Sequence, residues 1–310
     1  MTQDLKIVAT SPSFSSNKYL QDEIYRLFPN AILNLQGKRF SKDELLKFMQ
    51  DCDGAIVGLE TIDDDLISKC KSLKIISKYG VGLNNIDLEA ASRRNIKIGW
   101  SGGVNRLSVA EMTLGYMIML CRNLFITSNQ LKNGMWNKSG GFELSGKRVG
   151  IIGVGFIGKE VIRLLKPFNC EIYVNDIIKQ DDYYFSCGLK EASKDEIFRN
   201  CDIVSIHTPY DESTKNMVNM EIFKIMKKSS FIINSARGGI INEDDLKFAL
   251  INGLISGAAI DVYMDEPPTD AQLLSLPNLV CTPHIGGNSS EAVLAMGMSA
   301  IKHLKDFFIK

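Results

Sequence analysis

The 310-residue chain carries 36 Lys+Arg against 36 Asp+Glu, so its formal net charge is zero, and 45% of it is apolar. That composition excludes a collagenous, coiled-coil or largely disordered chain, and at roughly 150 residues per domain the length predicts two domains. With a pI of about 6.8 and no basic stripe, a small-molecule partner is expected and a nucleic-acid partner is not.

Seven cysteines are scattered from Cys52 to Cys281 without a CxxC pair. No metal site is expected from that spacing, and the simplest reading is a reduced, cytoplasmic protein whose thiols pack as small hydrophobes. No signal peptide is recognised ahead of Lys6-Ile7-Val8. The longest uncharged apolar stretch, Met112 to Cys121, is about half a membrane span, so no membrane partner is expected.

The first hundred residues alternate β-branched runs with helical patterns. Strands are expected at Lys6–Ala9, Ala31–Leu35, Ala55–Val57, Lys74–Ser77 and Ile96–Ile98. Helices are expected between them, over Lys18–Leu27, Asp43–Met49 and Asp64–Lys71. Helical crossovers of this length imply a parallel sheet. From Asn105 to Asn123 the chain is apolar on all sides, which predicts a buried helix at a domain or subunit interface. A glycine-spotted loop, Asn133 to Gly141, follows it. A second alternation has strands at Arg148–Ile152, Glu171–Asn175, Asp202–His207, Ser230–Asn234, Ser256–Asp261 and Leu279–Thr282. One last helix, Ser289 to Ile309, ends the chain. The expected fold is α/β, with two doubly wound parallel-sheet domains.

Strand, glycine loop and helix meet in Arg148-Val149-Gly150-Ile151-Ile152-Gly153-Val154-Gly155-Phe156-Ile157-Gly158, a G-x-G-x-x-G in the setting a dinucleotide requires. Gly153 allows the tight turn, Gly155 the close approach of a pyrophosphate, and Gly158 the packing of helix on strand. The helix N-terminus then presents unpaired N–H groups to the phosphates. Asp176, just past the second strand of this alternation, suits the adenosine ribose hydroxyls and repels a 2′-phosphate. The expected cofactor is NAD.

Three further strands end in polar residues, at Asn234-Ser235-Ala236-Arg237-Gly238, Asp261-Val262-Tyr263-Met264-Asp265-Glu266 and Thr282-Pro283-His284-Ile285-Gly286-Gly287. Ligands bind at such strand ends in open parallel sheets. Hydride transfer from an alcohol needs a base for the hydroxyl proton and a cation for a neighbouring carboxylate. Arg237 has the planar fork that matches a carboxylate. His284 is the natural acid/base, and Glu266 can fix its tautomer. His207 reads as a cleft or packing residue, and His303, between Lys302 and Leu304, as a surface one.

Lys78-Tyr79-Gly80-Val81-Gly82-Leu83-Asn84-Asn85-Ile86-Asp87, Val104-Asn105-Arg106-Leu107-Ser108-Val109-Ala110-Glu111 and Thr282-Pro283-His284-Ile285-Gly286 occur in one order along the chain. In these motifs the sequence resembles the D-isomer-specific 2-hydroxyacid dehydrogenase family, most closely its phosphoglycerate-dehydrogenase-like branch. The resemblance implies a catalytic triad of Arg237, Glu266 and His284. It implies NAD contacts from Phe156, Ile157, Asp176, Thr208, Pro209, Ser235, Ala236, Asp261, Gly286 and Gly287, beside the glycines already named. It also implies that backbone groups of Val81 and Gly82 meet the substrate carboxylate. Residues 1–101 and 286–310 should form a flavodoxin-like substrate domain, with a Rossmann NAD-binding domain of residues 102–285 inserted. The C-terminal regulatory domains of longer relatives are not expected.

Two departures bear on the substrate: Lys78-Tyr79 stands where many relatives have Arg before the G-x-G, and Asn84-Asn85-Ile86-Asp87 where many have Asp-Asn-Ile-Asp. The first substrate to expect is 3-phosphoglycerate, with Lys78 and Arg106 as extra cations. A glyoxylate/hydroxypyruvate or D-lactate-type reductase, a pathway-specific hydroxyacid dehydrogenase and a non-catalytic NAD-sensing corepressor are the alternatives. A homodimer is expected, with Met117 and Met119 at its two-fold contact.

Overall fold

The computed structural model describes residues 4–309; residues 1–3 and 310, the outer ends of the expected substrate domain, lie outside them. The chain divides into two compact units, Met1–Asn105 with Gly287–Lys310, and Arg106–Gly286.

In the first unit β1 (Ile7–Ala9), β2 (Ile32–Leu33), β3 (Gly54–Val57), β4 (Ile75–Lys78) and β5 (Lys97–Gly99) form a parallel sheet in the order β2-β1-β3-β4-β5. Every residue of β1, β3 and β4 is buried. A parallel sheet with helices on both faces buries its central strands throughout. Those helices begin where short polar side chains can cap them. Asn17 accepts from Leu20 N, Asp63 from Leu66 N and Asp87 from Ala90 N, while Ser41 and Glu44 form a reciprocal capping box. The C-terminal helix, Ser290–Phe308, returns to this unit and buries Met296, Ala300, Ile301 and Leu304 among Ile7, Leu20, Ile24 and Ile75. A Cβ on Gly297 would lie 2.2 Å from Leu20 Cδ1, so the glycine makes room for the Leu20 side chain between the two helices.

In the second unit β6 (Arg148–Ile152), β7 (Glu171–Asn175), β8 (Lys190–Glu191), β9 (Ile203–Ile206), β10 (Phe231–Asn234), β11 (Gly257–Ile260) and β12 (Leu279–Cys281) are all parallel, in the order β12-β11-β10-β9-β6-β7-β8. The chain winds outward from β6 in both directions, which leaves a crevice at the carboxyl ends of β6 and β9. Strand β8 escapes the sequence pattern because it is a two-residue edge strand with both residues exposed. So does the helix Leu124–Lys132, which buries no residue and is entered through Asn123 at φ 53°.

The apolar helix Arg106–Cys121 is a core helix of this unit. Met117 is completely buried, and with Tyr116 and Leu120 it packs among Val149, Ile151, Leu165 and Ala259. The expected two-fold contact at Met117 is therefore wrong, because the residue is enclosed by its own unit. Met119 is only partly exposed. Among the described residues no single helix is long and apolar enough to cross a membrane.

Candidate active site

Each glycine of the dinucleotide loop does something different. Gly153 has φ 95°, and a Cβ on it would sit 2.6 Å from the His207 carbonyl oxygen. A Cβ on Gly158 would sit 2.1 Å from the Gly153 carbonyl oxygen, so helix and turn could not close with any other residue. Around Gly155 a Cβ would meet nothing within 4 Å. Here the glycine leaves open space.

Gly155 is also the N-cap of the helix Phe156–Leu165 and gives it no side-chain cap. The first-turn N–H groups point out of the helix end beside that open space. The buried hydroxyl of Thr208, on the loop against Gly153, has no hydrogen-bond partner among the described residues. An open cradle, an uncapped helix end and an unsatisfied buried hydroxyl together fit the pyrophosphate of a dinucleotide.

Asp176 anchors this loop: Oδ2 accepts from Val154 N at 2.6 Å and Oδ1 from Ile178 N at 2.8 Å. Phe156 is exposed and Ile157 half-buried. Thr208 leads into exposed Pro209. Ser235 and Ala236 are buried, and Ser235 Oγ lies 3.0 Å from Thr113 Oγ1 of the core helix.

The expected contact between His284 and Glu266 forms. His284 Nδ1 lies 2.8 Å from Glu266 Oε2 and 3.0 Å from Oε1. Burial alone would raise the Glu266 carboxyl. The hydrogen bond and charge of His284, the Tyr263 N–H and the charge of Arg237 outweigh it and hold the carboxyl below the usual range. A carboxylate accepting at Nδ1 selects the tautomer in which Nε2 faces away from Glu266.

Arg237 is half-buried, and its Nη1 donates to the Ala236 carbonyl at 2.6 Å. Desolvation pulls the guanidinium below its ordinary pKa, partly opposed by the charge of Glu266. A Cβ on Gly238 would fall 1.8 Å from the Tyr263 carbonyl oxygen. Only a glycine after Arg237 lets its loop lie on the loop that carries Glu266.

His284 itself is in the left-handed region at φ 53°, which a non-glycine residue occupies at a cost unless its surroundings impose it. Buried Asp261 imposes it: Oδ1 accepts from Ile285 N at 2.8 Å and Oδ2 from Gly286 N at 2.7 Å. Thr282 donates to the same Oδ1 and is itself hydrogen-bonded to the Tyr116 hydroxyl. Ser108 Oγ holds the Gly286 carbonyl at 2.6 Å. Thr113, Tyr116 and Thr282 were not anticipated as site supports. Polar groups inside an apolar helix were the available signal for the first two.

In the first unit the expected substrate residues take different places. Lys78 is buried, and its ammonium donates to the Gly58 carbonyl and to Asn85 Oδ1. It holds two loops together and is not an exposed cation. Tyr79 is buried as well, its ring edge-on to Phe14 and its hydroxyl 3.0 Å from Ser13 Oγ. Val81 and Gly82 are half-exposed and follow the turn at Gly80, φ 124°, and the Val81 carbonyl accepts from the Trp100 indole at 2.8 Å. Gly287 also belongs to this unit, where a Cβ would meet Asn105 Nδ2 at 2.5 Å. Arg106, in the second unit, lies 3.6 Å from Glu160.

Of the other histidines, His207 has a buried Nδ1 with no hydrogen-bond partner among the described residues, and places Nε2 2.9 Å from Ser205 Oγ. Burial pushes it down to about 3, so it stays neutral. His303 is not the surface residue expected: its Nε2 lies 3.0 Å from Ser101 Oγ, and its Cβ lies where a side chain on Gly99 would begin.

Residues 114–286 match the family model described as D-isomer specific 2-hydroxyacid dehydrogenase, NAD binding domain. The chain belongs to the D-isomer specific 2-hydroxyacid dehydrogenase family. It is 36% identical to hydroxypyruvate reductase of Thermotoga maritima over 295 residues, which cover 93% of this chain and 95% of that one. It is 36% identical to human D-3-phosphoglycerate dehydrogenase over 83% of its own length but only 49% of the relative's. The chain thus spans about half the length of the phosphoglycerate dehydrogenases it matches. The NAD-dependent formate dehydrogenase of Staphylococcus aureus, solved with NAD, superposes with a TM-score of 0.85 at 30% identity, covering 98% of this chain and 96% of that one. The glycine-loop unit is an NAD-binding domain, and the cofactor is NAD.

Proposed function

We propose that this family member is an oxidoreductase that interconverts a 2-oxo acid and its D-2-hydroxy acid, with His284, Glu266 and Arg237 as its catalytic residues. The observation that carries the reading is the 2.8 Å pair of His284 Nδ1 and Glu266 Oε2 at the carboxyl end of a dinucleotide-binding sheet. Glu266 holds the imidazole by Nδ1, so Nε2 exchanges the proton of the substrate oxygen. An imidazolium formed in that exchange is stabilised by the adjacent carboxylate. Arg237 binds the substrate carboxylate and keeps its charge in a partly desolvated setting. The open cradle at Gly155, the Thr208 hydroxyl and the first turn at Phe156 and Ile157 hold the pyrophosphate, and Asp176 faces the ribose. Bound nicotinamide supplies or accepts the hydride at C2.

The relatives' names cover both a phosphorylated and an unphosphorylated acid. Phosphohydroxypyruvate needs a cation beyond Arg237, whereas hydroxypyruvate does not. Burial of Lys78 favours the unphosphorylated acid. NADH oxidation against phosphohydroxypyruvate, hydroxypyruvate, glyoxylate and pyruvate tests the reading. Turnover of at least one of them, lost in His284→Ala, is expected. No turnover of any 2-oxo acid by protein that binds NADH would refute it.

A further inference from the structure

The loops that leave β11 and β12 start side by side at the carboxyl edge of the second unit's sheet. Ile260 pairs with Cys281 in the parallel register, and Thr282 N donates to the Ile260 carbonyl at 3.1 Å. One loop goes on to Glu266 and the other to His284. Tyr263, just past β11, is buried and donates to both loops. Its N–H reaches Glu266 Oε1 at 3.2 Å, and its hydroxyl reaches the Thr282 carbonyl at 3.1 Å.

The Thr282 carbonyl also accepts the N–H of His284 itself, at 3.1 Å. These bonds close a ring. It runs from the Tyr263 N–H to the Glu266 carboxylate and on to the His284 imidazole at 2.8 Å. From there it returns through the His284 N–H and the Thr282 carbonyl to the Tyr263 hydroxyl. Asp261 holds the N–H groups that follow His284, and Tyr263 holds the carbonyl that precedes it, so the left-handed residue is fixed on both sides. Burial pushes the Tyr263 phenol above its ordinary pKa, so the hydroxyl stays a donor at neutral pH. The Glu266 loop has other anchors as well. Met264 N donates to Glu243 Oε1 at 2.6 Å, and the Tyr263 carbonyl lies against Gly238.

Resting on the oxidoreductase reading above, we propose that Tyr263 is a positioning residue for proton transfer, whose two donors set the Glu266 carboxylate and the His284 imidazole against each other. The N–H aims the carboxylate, and the hydroxyl fixes the turn that carries the imidazole. Hydrogen bonds in a closed network support one another, so loss of one member loosens the rest. Without the hydroxyl the turn is free to swing the imidazole off Glu266. Tyr116 and Asp261 still hold the Thr282 side chain, which keeps the segment folded.

The test removes the hydroxyl alone, in Tyr263→Phe, which keeps the N–H, the ring and the Glu243 anchor. On hydroxypyruvate, glyoxylate, pyruvate or phosphohydroxypyruvate, whichever the native protein turns over, kcat is expected to fall about tenfold or more, with KM and NADH affinity little changed. A merely structural role would not move the Glu266 carboxyl, which carbon NMR of glutamate-labelled protein follows, with Glu266→Gln to assign its resonance. Desolvation favours a raised value in the native protein, and the hydrogen bond and charge of His284 hold the carboxyl below the usual range. In Tyr263→Phe its titration midpoint should therefore move up, by at least about 0.5 in pH. An unmoved midpoint or a native kcat would overturn the assignment, and a lower melting temperature alone would make Tyr263 a packing residue. If the native protein binds NADH and turns over no 2-oxo acid, the oxidoreductase reading fails, and the Glu266 midpoint by itself decides whether Tyr263 holds the pair.

Discussion

Asp261 Oδ1 accepts the N–H of Ile285 at 2.8 Å, and so holds by its backbone the residue that follows His284. The carboxylate is buried at the end of β11, and its other oxygen holds Gly286. The left-handed turn at His284 is thereby stabilised from below, and the imidazole is aimed before any substrate arrives.

Replacing that carboxylate should cost both stability and rate. Hydrogen bonds to charged groups contribute about 1.5–3 kcal/mol each, so Asp261→Ala should lower the melting temperature by several degrees. kcat should fall more than KM rises, because the misplaced group is the proposed acid/base and not the proposed carboxylate clamp. Melting curves and steady-state kinetics check both, and a native kcat would refute the positioning part given to Asp261.

The three loop glycines should separate in their effects. In Gly158→Ala the new methyl collides with the Gly153 carbonyl, and the domain should lose stability. In Gly155→Ala the methyl enters open space, so the melting curve should be close to native while NADH binds about tenfold or more weakly. Fluorescence titration with NADH distinguishes the two, and unaltered affinity in Gly155→Ala would disprove the pyrophosphate cradle.

Gly238→Ala should act on catalysis through Arg237. The methyl cannot coexist with the Tyr263 carbonyl, so the Arg237 loop must move off the Glu266 loop. A loss of about 100-fold in kcat/KM is expected from such a displacement, with NADH affinity little changed. Comparable kinetics in the variant would show the close approach to be unnecessary.

His207 predicts a pH signature. Its folded-state value, about 3, is depressed from 6.5 by burial, so the unfolded chain binds the extra proton first. The contribution is complete above about pH 6.5 and is lost as pH falls toward 3, with a slope of at most about 1.4 kcal/mol per pH unit. Denaturant titrations between pH 6.5 and 4 should show a shallower loss in His207→Gln, which can still pair with Ser205. An equal slope would mean that His207 is protonated in the folded protein.

Met117→Lys should not produce a folded monomer. Its ammonium would be buried among Val149, Ile151 and Leu165, a placement that costs more than about 4 kcal/mol. Loss of folded protein is expected on a sizing column, and a stable, monodisperse variant would contradict the enclosed position.

Much of this was legible in the sequence, for reasons of range. The strand–loop–helix at 148–165 and the strands ending at Asn234, Ile260 and Cys281 depend on local periodicity and on turns that only glycine can make, and these are written in consecutive residues. The order of motifs carried the family, and with it the pairing of Glu266 with His284 across eighteen positions. What the tertiary structure alone decided is which neighbour each polar group chose. Lys78 could have faced solvent, and Asp261 could have been given to the cofactor alone. Met117 could have met a partner, and His303 could have lain on the surface. Each of those outcomes depends on atoms brought from distant segments, on Gly58 and Asn85, on Ile285 and Gly286, on Val149 and Leu165, on Gly99 and Ser101. A buried charge or hydrophobe settles wherever packing and hydrogen bonds satisfy it, and that choice exists only once the sheets have assembled.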